Sequence, residues 1–220
     1  MRILAAVFFT IVVLAFSGLG AVLYGFYYFG KGLPEYHQLA DYNPPVVTRI
    51  HAGDGRLMAE FAREKRVFMP IKAMPKTVIK AFMSAEDKTF YTHWGIDIPG
   101  ILRAMVTNVR RINTDRRPIG ASTITQQVAK NFLLTNEVSI ARKAREVILA
   151  LRIERAFPKD KILELYLNEI YLGFGSYGVA AAALNYFNKS LNDLTLAETA
   201  FLAGLPKAPN NYHPIRKPDA

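Results

Sequence analysis

Glu86 and Asp87 stand side by side in SAEDKTFYTHWG, and a carboxylate in a helical, largely apolar pattern is the residue type that general-base chemistry uses. If the helix runs on through this stretch, Phe82 lies one turn before Glu86 and Phe90 one turn after it, so the acid is framed by aromatic rings. Reduced hydration raises a carboxylate's proton affinity, which suits it to take a proton from a neutral hydroxyl. The residues alone also allow a plainer reading, preferred for an isolated acid pair: a solvated helix end in which Glu86 and Asp87 pair with Lys80 and Lys88. His93 alone is more often structural than catalytic, and Trp94 more often core than platform.

Further along, GASTITQQVAKN covers residues 120–131. Gly120 gives a permissive entry, and Thr123 with Gln126 fits a capping box. On a helix, Ser122, Gln126 and Lys130 share one stripe, with Thr123 and Gln127 beside it and Ile124, Val128 and Phe132 opposite. Hydroxyl, amide and ammonium donors at a helix start are what a phosphate or sugar needs. An ordinary polar outer face is the competing reading. In ARKARE, Arg142 and Glu146 are one turn apart and can pair, while Lys143 and Arg145 add positive potential. In KILELYLNEIYLGFGSYG, Leu163, Leu167 and Ile170 read as core, and Glu164, Asn168 and Tyr171 as a neighbouring supporting stripe. No metal-ligand spacing, phosphate loop or Ser/His/Asp order emerges.

Several elements must position these groups. The 220-residue chain is long enough for one substantial domain. No charge interrupts Ile3 to Gly30, a run long enough to cross a bilayer and too long and aromatic for a cleaved leader, so residues 1–30 read as an uncleaved signal anchor. Pro34 and Pro44-Pro45 mark an extended connector. VVTRIHA and RLMAEFA flank Gly53-Asp54-Gly55 and predict a β-hairpin, which the extended piece RVFMPI is expected to join. Pro75 then opens a helix with Val78, Phe82 and Ala85 on one face, and helical periodicity continues to ETAFLAGL, which has a capping box at Thr195–Glu198 and stop signals at Gly204 and Pro206. The net charge of +10 beside a membrane anchor points to lipid phosphate. Nucleic acid is not expected as a partner, because the anchor would hold the basic domain outside the cytosol.

EDKTFYTHWG, GASTITQQVAKN, RKARE and KILELYLNEIYLG, in that order, closely resemble the motifs of the family 51 peptidoglycan glycosyltransferases. These are the polymerising domains of class A penicillin-binding proteins and of monofunctional transglycosylases. The resemblance implies a mainly α, lysozyme-like glycosyltransferase domain at 75–220 with a membrane-associated jaw lobe near 96–119. A connector with a small N-terminal β-hairpin at 31–74 and one N-terminal transmembrane helix precede it. The implied substrate is lipid II, with the growing glycan strand, membrane lipid and regulators of cell-wall synthesis as partners. By motif position Glu86 resembles the catalytic base, with Asp87, Phe90 and His93 completing the first motif. Gly120, Ser122, Thr123, Gln126, Gln127 and Lys130 match the second, which contacts the donor's diphosphate and sugars. Arg142 and Glu146 match the third, with Glu146 a second catalytic acid that orients the cation or acceptor. No cofactor is obligatory, and a divalent cation such as Mg or Mn assists at most. In the jaw, Ile98, Leu102, Met105, Val106 and Val109 form an apolar face, with Arg103, Arg110, Arg111, Arg116 and Arg117 available to headgroups. Packing of that helix on the domain is the alternative.

The leaving group of such a transfer is already a stable anion, so it needs cations more than a proton. A glycosidase would need a second acid as proton donor. Two rivals predict different behaviour: a lytic enzyme would cut finished glycan, and a noncatalytic binder would hold lipid II without product. The sequence stops at Ala220 without a Ser-x-x-Lys nucleophile, as expected of the N-terminal portion of a longer, bifunctional chain at the bacterial inner membrane, the favoured reading, or of a monofunctional enzyme with an atypical end.

Overall fold

The computed structural model describes residues 2–42, 48–54, 56–61, 65–112, 114, 119–135 and 137–210. The first helix, α1 (Arg2–Gly30), follows from an unbroken apolar run in which Thr10 returns its hydroxyl to the Ala6 carbonyl at 2.9 Å. Residues 3–30 have a mean hydropathy of 2.5 in their most apolar window, and that window is unburied. At 1.5 Å per residue the helix is long enough to cross a hydrocarbon layer of roughly 30 Å. Its C-terminal end packs against α5 (Ile140–Ala156).

The predicted hairpin forms from β1 (Thr48–His51) and β2 (Leu57–Phe61), antiparallel, with a bulge between Ile50 and His51. Asp54 accepts the Arg56 backbone N–H at 3.0 Å and closes the turn. Gly55 and the Pro44-Pro45 pair fall outside the described residues. The third extended piece does not join this hairpin. Instead β3 (Lys65–Arg66) runs parallel to β4 (Ser176–Tyr177), because long-range partners draw it away. Asn168 both accepts the Met69 N–H and donates to its carbonyl, at 2.8 and 2.9 Å. Arg66 pairs with Glu169, which also accepts the Tyr42 hydroxyl at 2.6 Å.

Pro75 caps α2 (Lys76–Glu86) from one residue outside rather than opening it. Val78 and Phe82 are buried, but Ala85, expected on the same face, is exposed. Successive positions four apart place Glu86, not Ala85, next along the buried stripe. That stripe packs on α8 (Leu196–Gly204), entered through the predicted Thr195–Glu198 capping box. The centre of the domain is α4 (Ile124–Leu133) against α5 and α6 (Lys159–Glu169). Leu163 and Leu167 are fully buried and Ile170 nearly so, as their spacing predicts. The predicted supporting stripe is partly realised: Asn168 ties down Met69, and Glu164 accepts the Ile71 N–H at 3.0 Å.

Gly178 joins α6 to α7 (Val179–Phe187) at φ +81°, where a Cβ would meet the Asn168 carbonyl oxygen at 2.6 Å. Gly178→Ala is therefore expected to cost about 2 kcal/mol or more, since left-handed strain alone is of the order of 1–3 kcal/mol. Equilibrium denaturation of the two proteins checks it.

Candidate active site

Glu86 is the last residue of α2, and Asp87 breaks the helix with φ −156°. Phe90 therefore follows on a turn rather than on a further helical turn, although it is as fully buried as Phe82. The two neighbouring carboxylates then part company. Asp87 turns inward and is 6% exposed; it accepts the Ile124 N–H at 3.0 Å, the first residue of α4. His93 Nε2 lies 2.9 and 3.0 Å from the two Asp87 oxygens. Its Nδ1 accepts the Gly95 N–H at 3.1 Å, so the proton sits on Nε2 and is donated to Asp87. The solvated helix end is thus excluded for Asp87, and His93 holds a structural bond to it.

Glu86 is half-buried. Burial pushes its carboxyl above the usual carboxylate range, against the opposing pull of the Gln127 hydrogen bond and the Lys130 charge; the Asp87 charge raises it further. Gln127 Nε2 donates to Glu86 Oε2 at 2.6 Å.

The expected Ser122–Gln126–Lys130 stripe is not formed. The helix begins at Ile124, so Ser122 precedes it, and Gln126 is buried in the capping box, its Oε1 accepting the Thr123 N–H at 2.9 Å. Thr123 also donates its hydroxyl to the Gly95 carbonyl at 2.7 Å. Gln127 is the amide that reaches the acid.

On α5, Arg142 donates to Glu146 Oε2 at 2.7 Å, and Lys143 contacts Glu146 Oε1. Glu146 is 2% exposed, so both oxygens of a buried carboxylate are taken up by cations. The Lys143 ammonium bridges onward to Ser122 Oγ at 2.8 Å. That contact links the third motif to the second, and sequence reading missed it; the lysine's place three residues before Glu146 is its only local signal. Among the described residues, Arg142 Nε is buried with no hydrogen-bond partner, and so is the Tyr166 hydroxyl.

A cavity of about 330 Å³ opens where these parts meet. Glu86, Asp87, Gly120, Ser122 and Thr123 line one side, and Asp97, Arg103 and Thr107 line another. Phe90, His93, Gln126, Gln127, Lys130, Arg142 and Glu146 are not in its lining. Asp97 caps α3 (Ile98–Arg110), and the Gly100 N–H that it accepts at 2.9 Å holds its carboxyl below the usual range. Arg103, expected at lipid headgroups, forms part of this wall, with its guanidinium 4.0 Å from Asp97. Ile98, Leu102, Met105, Val106 and Val109 are all exposed and only Ala104 of α3 is buried, so this face does not pack on the domain. Arg116 and Arg117 lie outside the described residues. Among the described residues no group of three His, Cys, Asp or Glu side chains is placed to hold a metal ion.

An acid beside a cavity, an amide on that acid, and cations on the adjoining helices are the kinds of groups that group transfer uses. The chain belongs to the transglycosylase family, whose profile matches residues 54–220. It is 56% identical over 204 residues to penicillin-binding protein 1A of Rickettsia felis, covering 93% of this chain and 26% of that one. It is 48% identical over 206 residues to penicillin-binding protein 1A of Neisseria flavescens, covering 94% and 25%. The crystal structure of penicillin-binding protein 1A from Haemophilus influenzae matches with 28% identity and a TM-score of 0.39, over 79% of this chain and 16% of that one. The chain spans about a quarter of the length of the curated relatives it matches.

Because the fold raises the Glu86 pKa, it favours the protonated acid, and ionisation above that pKa works against the folded state. Glu86→Gln carries no such charge. The variant is expected to melt at a higher temperature than the parent at pH 7, with the difference fading below the ordinary glutamate pKa of about 4.3; thermal unfolding across pH reads it.

Proposed function

We propose that the chain is a peptidoglycan glycosyltransferase of bacterial cell-wall synthesis. It polymerises lipid II into β-1,4-linked glycan with inversion and releases polyprenyl diphosphate. The observation that carries this reading is Glu86: a desolvated carboxylate with raised proton affinity, opening on a cavity and within the field of Lys130.

In the reaction, Glu86 takes the proton of the acceptor sugar's 4-hydroxyl as that oxygen attacks the donor's anomeric carbon. Attack from the face opposite the departing diphosphate turns an α-linked donor into a β-linked product. The leaving diphosphate is neutralised by the positive charges of Lys130 and Arg142. Glu146, with each oxygen held by a cation, orients Arg142 and Lys143 rather than protonating a sugar leaving group. This favours transfer to a lipid-borne donor over lytic cleavage, which calls for a proton-donating acid. Asp87, Phe90 and His93 hold the base in place. Ser122 faces the substrate and Gln127 holds the Glu86 carboxylate, while Gly120, Thr123 and Gln126 shape the entry to α4.

The membrane supplies the substrate. In this reading α1 anchors the chain in the inner membrane with the domain on its outer face, and the exposed apolar face of α3 enters the same leaflet. Magnesium or manganese, where bound, would ride on the diphosphate and add to its neutralisation.

Labelled lipid II in liposomes, with glycan products resolved by size, tests the reading. Glu86→Gln is expected to lower polymerisation by roughly 10²–10⁴-fold; a variant that polymerises near normally removes Glu86 from the role of base. The base works ionised and its pKa is raised, so the acidic limb of kcat/KM should fall at a higher pH than an exposed glutamate would give. Chelation should reduce the rate without abolishing it, and complete, reversible loss would show the cation to be obligatory.

A further inference from the structure

Lys159, at the start of α6, is held at three points among groups that do not line the cavity. Its ammonium donates to the His93 carbonyl at 2.7 Å and to Glu154 Oε1 at 2.7 Å, and it lies 4.4 Å from the centroid of the Phe90 ring. Glu154, near the end of α5, accepts the Thr125 hydroxyl of α4 on the same oxygen at 2.5 Å. The two side chains are 8% and 19% exposed for Glu154 and Lys159 respectively. Gly95 lies against α5 at φ +87°, where a Cβ would come within 3.1 Å of both the Ala150 carbonyl oxygen and Glu154 Cγ.

We infer that Glu154 and Lys159 are a positioning pair for the transfer reaction, holding residues 90–95 so that His93 meets Asp87 and Glu86 keeps its place at the cavity. The inference rests on the glycosyltransferase reading above and adds to it two residues that touch neither substrate nor reacting atoms. With Lys159 on its carbonyl, Gly95 N–H on Nδ1 and Asp87 on Nε2–H, His93 is fixed at backbone and ring together. Asp87 is in turn the partner of the α4 N-terminus, whose next turn carries Gln127 to Glu86. Displacement of the His93 carbonyl therefore passes by direct bonds to the base. An ion pair of low exposure adds little net stability compared with apolar packing, because desolvation offsets the attraction. What it supplies is direction: a cation with defined hydrogen bonds admits one arrangement of the loop where an apolar side chain would admit several.

The test uses the full chain in liposomes with labelled lipid II, together with nitrogen NMR of the His93 ring. Lys159→Met is expected to lower kcat by roughly tenfold or more with KM within about threefold, as misplacement of reacting groups does. Its His93 signal should change from a single Nε2–H tautomer to a mixture, and Lys159→Arg, which can still donate to the carbonyl, should recover most of both. Lys189→Met breaks a more exposed pair, at 2.8 Å, between the residue just beyond the α7 C-cap and Glu198 of α8, and should leave kcat within about twofold of the parent. The inference is overturned if Lys159→Met keeps kcat within about twofold, if kcat falls only in proportion to unfolded protein, or if the histidine signal is unchanged. A parent chain that binds lipid II but forms no polymer would instead sink the glycosyltransferase reading. The His93 spectrum of Lys159→Met alone would then decide whether the pair positions the loop.

Discussion

The Asp87 carboxylate receives two donors from different parts of the chain, the His93 ring and the first N–H of α4. A buried carboxylate is costly unless its oxygens are bonded, and the positive end of a helix is a favourable place for it. Loss of either donor leaves a buried carboxylate short of partners, a change that costs on the order of 1–3 kcal/mol or more for an unsatisfied buried group. Through this one group the end of α2, the turn at 90–95 and the start of α4 are held in fixed relation. Glu86 takes its place from that relation, since it is the residue immediately before Asp87 and ends α2.

The adjoining acids show how environment separates identical chemistry. Asp87 is buried and bonded; Glu86 is half-buried, with one amide on it and a lysine in range. The first has the environment of a structural anion and the second that of a group which gains and loses a proton. Glu146 is a third case, clamped by Arg142 and Lys143 so that it gathers cations beside Ser122. The glycosyl transfer proposed for this site draws on that division: one carboxylate to build, one to accept a proton, one to aim positive charge.

Much of the local architecture was legible in the residues. The apolar run of α1, the hairpin strands, both capping boxes and the buried leucines of α6 follow from periodicity and capping rules that act over a few residues. Three local extrapolations failed for a shared reason. RVFMPI carries no sign that Asn168, about a hundred residues away, will claim its backbone. The Ser122–Gln126–Lys130 stripe assumed a helix that starts before its cap, and the cap then consumed Gln126. Ala85 was placed on a buried face that Glu86 occupies, because α8 approaches α2 from a direction that the α2 sequence does not encode.

By itself the sequence determined the helical content, the long apolar N-terminal helix, the order of the motifs and the types of groups available, since propensity, capping and hydrophobic period are properties of neighbouring residues. Only the tertiary structure decided which acid is buried and which stays half-buried at the cavity, that Gln127 rather than Gln126 meets Glu86, and that Lys143 and Lys159 reach Ser122 and His93. Those outcomes depend on desolvation and on hydrogen bonds between segments far apart in the chain. Neither exists until the helices have packed.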